Sequence, residues 1–175
     1  MDRAVRSDNI ILIGFMGSGK SAVGTALAKR LKRKFVDTDQ LVEEMAGIAI
    51  REIFACHGEA RFRDLESQAA AALLSYKPGE LVAATGGGIV LRRKNRLILH
   101  RAGKVVLLTA SLPDLILRTS GGTERPLLND SNRLEQVRKM LKQREPYYSE
   151  NNLTINTSGK SIEEVCAEII ETLQL

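Results

Sequence analysis

Five short apolar segments recur along the chain, at Asn9–Gly14, Phe35–Asp37, Leu81–Thr85, Val105–Thr109 and Leu153–Asn156. Longer stretches with apolar residues three and four apart separate them. Ile10-Ile11-Leu12-Ile13 is an unbroken, largely β-branched run, the pattern of a strand buried on both faces. In the segment that follows, Val23, Leu27 and Leu31 fall on one helical face. The same periodicity predicts helices near residues 19–33, 40–46, 50–57, 59–75, 93–101, 112–119, 132–149 and 162–174. Start signals support two of these. Ser111-Leu112-Pro113-Asp114 supplies a cap, a first-turn proline and a first-turn acid, and Ser161 with Glu164 has the capping-box spacing. Strands alternating with helices predict an α/β domain, a parallel sheet covered on both faces. A chain of 175 residues suits one such domain. No internal repeat interrupts it.

Two stretches exceed what this layout needs. Residues about 38–75 place several helices between the second and third strands, an expected substrate-binding insertion. Residues about 119–131 form a glycine-containing polar segment with one arginine, Arg125, and are equally readable as a lid or as a plain helix connection.

The junction of the first strand and first helix carries the clearest chemistry. Gly14 to Ser21 reads Gly-Phe-Met-Gly-Ser-Gly-Lys-Ser, a complete GxxxxGK[ST] loop between a strand and a helix. Backbone N–H groups of Gly17, Ser18, Gly19 and Ala22, with the helix N-terminus, can surround a polyphosphate. Lys20 is placed to reach the β- and γ-phosphates and Ser21 to ligate Mg²⁺. This predicts binding of Mg·ATP.

Composition narrows the setting. Two cysteines, Cys56 and Cys166, form no CxxC or Cys/His cluster, and both lie in helical apolar patterns. Buried free thiols in a reducing compartment are expected. No apolar run approaches the ~20 residues of a membrane span, and Met1 to Asn9 lacks the apolar centre of a signal peptide. A cytoplasmic location and no membrane partner are expected. The formal net charge of +5 suits anionic substrates. The basic run Lys29–Lys34 closes the first helix, where cations complement the dipole, and Arg92–Arg96 reads as a solvated helix start. With 4% aromatics and no Trp, stacking platforms for nucleic acid are scarce, and no nucleic-acid partner is expected.

In an open parallel sheet, ligands sit outside the carboxyl ends of the strands. Asp37-Thr38-Asp39 follows the second strand and Gly86-Gly87-Gly88 the third. If extended, the two acids point the same way. Beside Mg·ATP, one can hold the metal through water and the other take a proton from a hydroxyl. The plainer alternative is a helix cap. Triple glycine permits close approach of a ligand or a positive φ, or marks only a tight turn. Arg63 and Glu66 are three apart on one helical face, so the acid can orient the guanidinium. Arg144 precedes Glu145-Pro146, where a proline breaks or kinks the helix. Arginine binds a carboxylate through two parallel hydrogen bonds, although any one arginine in a basic chain is more often on a solvated surface.

In order, Gly14–Ser21, Phe35-Val-Asp37-Thr-Asp39, Ile50-Arg-Glu-Ile-Phe54, Gly58-Glu59 with Phe62-Arg63 and Glu66, Thr85–Gly88, Arg125-Pro-Leu-Leu128 and Arg144-Glu-Pro-Tyr-Tyr148 form a set. Over nearly its whole length the chain resembles the shikimate kinase family. The resemblance implies a P-loop kinase fold of the nucleoside-monophosphate-kinase-like kind, with a five-stranded parallel sheet sandwiched by helices, a helical substrate-binding insertion and a lid. It implies transfer of the ATP γ-phosphate to the 3-hydroxyl of shikimate, a step toward chorismate and the aromatic amino acids. Carried over residue by residue, Lys20 contacts the phosphates, Ser21 binds Mg²⁺, and Asp37 supports the metal through water. Asp39 holds shikimate hydroxyls and is the base. Arg63 and Arg144 clamp the carboxylate with Glu66 nearby, and Gly86, Gly87 and Gly88 line the substrate. Arg125 neutralises charge on the transferred phosphoryl group, Arg118 lies beside the adenine, and Lys160 falls near a second adenine-side loop. The family often has Ser or Thr where this chain has Ala22, a hydroxyl that would help cradle the α-phosphate.

Two rival readings stand beside this one. Another small-molecule P-loop kinase, acting on gluconate or a nucleoside monophosphate, shares the phosphate loop. A non-catalytic nucleotide-binding regulator would lack Asp39 or Arg125, or carry a DNA-binding domain; this chain has both residues. A monomer is the expectation for a domain of this size.

Overall fold

The computed structural model describes residues 8–119 and 131–175, with residues 131–133 as backbone only. Residues 120–130 of the segment expected to be a lid or a plain connection, Arg125 included, lie outside the described residues. The strands are β1 (Ile10–Ile13), β2 (Lys34–Asp37), β3 (Leu81–Ala84), β4 (Lys104–Thr109) and β5 (Leu153–Asn156). The helices are α1 (Lys20–Leu31), α2 (Thr38–Ala46), α3 (Ile50–Ala72), α4 (Arg93–Ala102), α5 (Leu112–Thr119), α6 (Ser131–Tyr148) and α7 (Ile162–Leu173).

The strands pair in parallel in the order β2-β3-β1-β4-β5. The apolar run of β1 makes it the central strand, buried along all four residues. Its alternation splits the core. Ile11 and Ile13 face Ala70, Leu73, Leu99 and Tyr148, while Ile10 and Leu12 face Val23, Leu27, Val165 and Ile169. Cys166 is buried in the second layer, as predicted, but Cys56 is exposed on α3, because the apolar side of that helix is taken by Ile53, Phe62 and Leu65. The α2–α3 insertion has its own small core of Val42, Ile53, Phe62, Leu65 and Ala69.

Other differences from expectation are local. α3 is broken at Gly58, whose φ is 75°, into the two helical stretches expected at 50–57 and 59–75, except that Leu73–Ser75 tightens into a 3-10 turn. A further 3-10 turn at Ile89–Leu91 had no sequence signal. α6 runs on to Tyr148 through Pro146, so the break read at the proline does not occur, although the ring leaves the carbonyl four residues earlier without its helical N–H. In the run Arg92–Arg96, Arg93 and Lys94 are exposed as expected, but Arg92 and Arg96 are partly buried. Arg92 Nη1 binds Arg63 O at 2.9 Å and Asp64 Oδ1 at 2.7 Å. Arg96 binds Val90 O at 2.8 Å and Glu150 at 3.0 Å, with its guanidinium over Tyr147.

Candidate active site

The order β2-β3-β1 brings three strand ends side by side, so the phosphate loop, Asp37–Asp39 and the triple glycine share one crevice. At the loop, Gly19 caps α1 at φ 96°, a left-handed conformation that glycine adopts without strain. Gly14 has no room for a side chain, since a Cβ would overlap Leu108 O. Lys20, in the first turn of α1, is 8% exposed and donates from Nζ to Phe15 O at 2.9 Å. Burial pulls its pKa down to about 8, against the opposing attraction of Asp39 and Asp37. Ser18 Oγ is fully buried and has no hydrogen-bond partner among the described residues.

Asp37 ends β2 and caps α2, accepting from Asp39 N at 3.0 Å through Oδ1. Its Oδ2 accepts from Ser21 Oγ at 2.7 Å. The cap alternative and the metal-side placement therefore hold together, one for each carboxylate oxygen. Asp39 is not in extended chain as expected. The cap starts the helix at Thr38, so Asp39 lies in the first turn of α2. The helix turns its carboxylate toward the glycine loop: a Cβ on Gly86 would be 2.5 Å from Asp39 Oδ1 and 3.2 Å from Glu66 Oε1. Burial, then the charge of Asp37, raises the Asp39 pKa, while Lys20 and Arg63 oppose the rise. This makes Asp39 a stronger base than a solvated aspartate.

Arg63 sits on α3 beside Gly88. Nη1 binds Glu66 Oε2 at 2.9 Å, and Nη2 binds Glu59 Oε1 at 3.1 Å. Glu66 is 1% exposed, and burial raises its pKa although Arg63 pulls the other way. Its second oxygen, Oε1, has no partner among the described residues and faces Gly86. Arg144 reaches in from α6. Its guanidinium lies 5.4 Å from the centre of the Phe15 ring, and Nη1 donates to Gly87 O at 3.2 Å. None of Gly86, Gly87 or Gly88 has a positive φ. Of the two uses predicted for the triple glycine, close approach is the one realised: Asp39 crowds Gly86 and Arg63 crowds Gly88, while Gly87 lies against the phosphate-loop backbone at Met16 N.

Met16, Lys20, Ser21, Asp37, Asp39, Thr85 and Gly87 line a cleft of about 300 Å³, and Arg144 and Arg63 reach Gly87 and Gly88 beside it. Arg118, on α5, binds Thr157 Oγ1 at 2.9 Å and Gly17 O at 3.3 Å. It shares a second recess, about 220 Å³, with Gly19, Ala22, Lys160, Ile162 and Val165. Lys160 pairs there with Glu168. The Arg118 recess and the Asp37–Asp39 cleft are distinct and meet at Gly19 and Ala22 of the phosphate loop; Arg125 lies outside the described residues.

Sequence reasoning missed three supports. Thr38 Oγ1 accepts from Gly86 N at 3.0 Å, Phe15 underlies Arg144, and Tyr148 Oη donates to Gly87 O at 2.6 Å. A buried threonine between two acids and an aromatic ending an arginine-bearing helix were the available hints, but both are ordinary core residues without the fold.

The arrangement has a phosphate loop with its lysine, a hydroxyl–carboxylate pair, a basic carboxylate, and two guanidinium groups, Arg63 oriented by Glu59 and Glu66 and Arg144 by Gly87 O. It suits phosphoryl transfer to an acid that also carries hydroxyls. Known proteins agree. The family profile described as shikimate kinase matches residues 16–174. A shikimate kinase of Geobacter sulfurreducens is 48% identical over 161 residues, covering 92% of this chain and 88% of the relative. A structure of the Acinetobacter baumannii shikimate kinase in complex with shikimate superposes with a TM-score of 0.86 at 36% identity, over 95% of this chain and 93% of that one. A gluconokinase from Sinorhizobium meliloti reaches a TM-score of 0.60 at 19% identity over 97% and 93%, a likeness of fold alone. By profile, sequence and architecture, this chain belongs to the shikimate kinase family.

Proposed function

We propose that the cleft transfers the γ-phosphate of ATP to the 3-hydroxyl of shikimate with the residues assigned as follows. Lys20 binds the β- and γ-phosphates, assisted by the N–H groups of Gly17, Ser18, Gly19, Ser21 and Ala22. Arg63 and Arg144 grip the carboxylate from either side of the glycine loop. Asp39 accepts the hydroxyl proton as the oxygen attacks phosphorus. Arg125 offsets charge on the moving phosphoryl group. Arg118 and the Lys160 loop border the adenine.

The donor set near Ser21 fits Mg²⁺. Its hydroxyl and the Asp37 carboxylate lie 2.7 Å apart, hard oxygens at the edge of the phosphate loop. No group of three or more His, Cys, Asp or Glu that could hold a metal occurs among the described residues. Ser21 Oγ and, through water, Asp37 would hold the ion, which would lessen the charge of the nucleotide phosphates.

One observation carries this reading: Asp39, Arg63 and Arg144 converge on Gly86–Gly88, and Asp39 and Arg144 are close enough to Lys20 to shift its pKa. Coupled ADP release tests it. Rapid release with shikimate and little with gluconate is expected; the reverse would transfer the assignment to the gluconate kinases. No helix among the described residues is long and apolar enough to cross a membrane. We also propose a cytoplasmic monomer, to be checked by sedimentation with and without nucleotide and by cell fractionation.

A further inference from the structure

The three carbonyls of the triple glycine are held in different ways. Gly86 O accepts from Ile89 N at 3.2 Å and Gly88 O from Leu91 N at 3.1 Å, both within the local turn. Among the described residues, Gly87 O has no such backbone partner. It is anchored instead by two side chains of α6, Tyr148 Oη at 2.6 Å and Arg144 Nη1 at 3.2 Å. Gly87 is also where the substrate floor meets the phosphate loop, since a Cβ there would lie 3.3 Å from Met16 N and 3.4 Å from Gly14 O.

We infer that Tyr148 is a positioning residue for the substrate carboxylate: its phenol carries the Gly87 carbonyl, so that the Arg144 guanidinium is set by a fixed acceptor and keeps its remaining N–H groups for the ligand. The inference rests on the assignment of Arg144 to the carboxylate. Tyr148 is one turn beyond Arg144 on the same helix and only 6% exposed, so its ring is locked by packing. Burial raises the pKa of its phenol, which stays a donor throughout the working range. Without the hydroxyl, Gly87 O would rely on the longer, weaker Arg144 contact. The three side-chain-free residues could then shift, and Arg144 with them.

Tyr148→Phe removes the donor and keeps the ring. Loss of one net hydrogen bond corresponds to roughly 3–10-fold. We expect the shikimate KM to rise by about that factor, with kcat and the ATP KM within ~2-fold. In an Arg144→Ala background the same change should do far less, because both act on one contact. A folded Tyr148→Phe enzyme with unchanged shikimate KM overturns the inference. So does full multiplication of the two effects, and so does a variant that no longer folds, which would assign the hydroxyl to the fold instead. Absence of shikimate turnover in the unmodified protein would instead strike the proposed function itself.

Discussion

The guanidinium of Arg63 fills the space that a side chain at Gly88 would need: a Cβ there would overlap Nη1 and lie 3.0 Å from Cζ and Nη2. The glycine is dictated by an arginine on a different element, not by its own backbone, whose φ of −99° any residue can adopt.

Gly88→Ala should therefore fold well and displace Arg63. The atom in the way is the end of a flexible side chain, so the cost to stability is small, whereas misplacement of the clamp is felt by the substrate. A rise of roughly 10-fold or more in the shikimate KM is expected, with the ATP KM within ~2-fold. Unchanged shikimate kinetics would separate Arg63 from the carboxylate.

Lys20 makes nucleotide binding sensitive to pH. In the free protein its pKa is about 8, chiefly because it is buried. Phosphates favour the charged amine, so the pKa rises on binding. Between the two values, binding takes up a proton, and affinity falls as pH increases above about 8. Calorimetric titration of ADP at pH ~8.5 in two buffers of different ionisation enthalpy reads this uptake directly. Equal heats in both buffers would contradict it. Lys20→Ala should remove the uptake and nearly all phosphoryl transfer.

Asp39→Asn keeps shape and removes the base. A fall in kcat of roughly 10²–10⁴-fold is expected if Asp39 takes the hydroxyl proton. The change has a second, independent consequence. Asp39 is the largest influence opposing the burial of Lys20, so its loss should lower the Lys20 pKa further. The alkaline decline in nucleotide affinity should then begin at lower pH. A kcat within a few-fold of the original would remove Asp39 from proton transfer.

Asn9 offers a stability test away from the cleft. It is 3% exposed, donates to Ala102 O at 3.1 Å, and accepts from Glu80 N and Leu81 N, both at 3.0 Å. It thus ties the amino ends of three strands. Asn9→Ala leaves buried backbone groups unpaired, a cost of roughly 2–4 kcal/mol. For a chain of 175 residues this corresponds to a Tm lower by roughly 5–15 °C. A shift under ~2 °C by calorimetry would show that water takes over these bonds.

Much of the site was legible along the chain because its chemistry is local. A strand, a GxxxxGK[ST] turn and a helix put Lys20 and Ser21 in place with little help from elsewhere. Ser161 and Glu164 form the expected capping box, at 3.2 and 2.7 Å, because both partners lie within one turn. Arg63 and Glu66 likewise pair at the predicted three-residue spacing. The departures arise where a local pattern was overruled. The cap of Asp37 moved Asp39 from extended chain into a helix, and the apolar cluster of the insertion left Cys56 outside it. Arg92 and Arg96 found buried carbonyls that no nearby sequence announces.

Hydrophobic spacing and turn chemistry, then, settled which segments are strands or helices and where phosphate is held, since each depends on neighbours a few residues away. Only tertiary structure decided what crowds Gly86 and Gly88, what Tyr148 holds, and how Arg63 and Arg144 come to neighbouring glycines. Those relations run between β3, α2, α3 and α6, elements brought together by burial of the two sheet faces, and steric exclusion across such a gap leaves no trace in the order of residues.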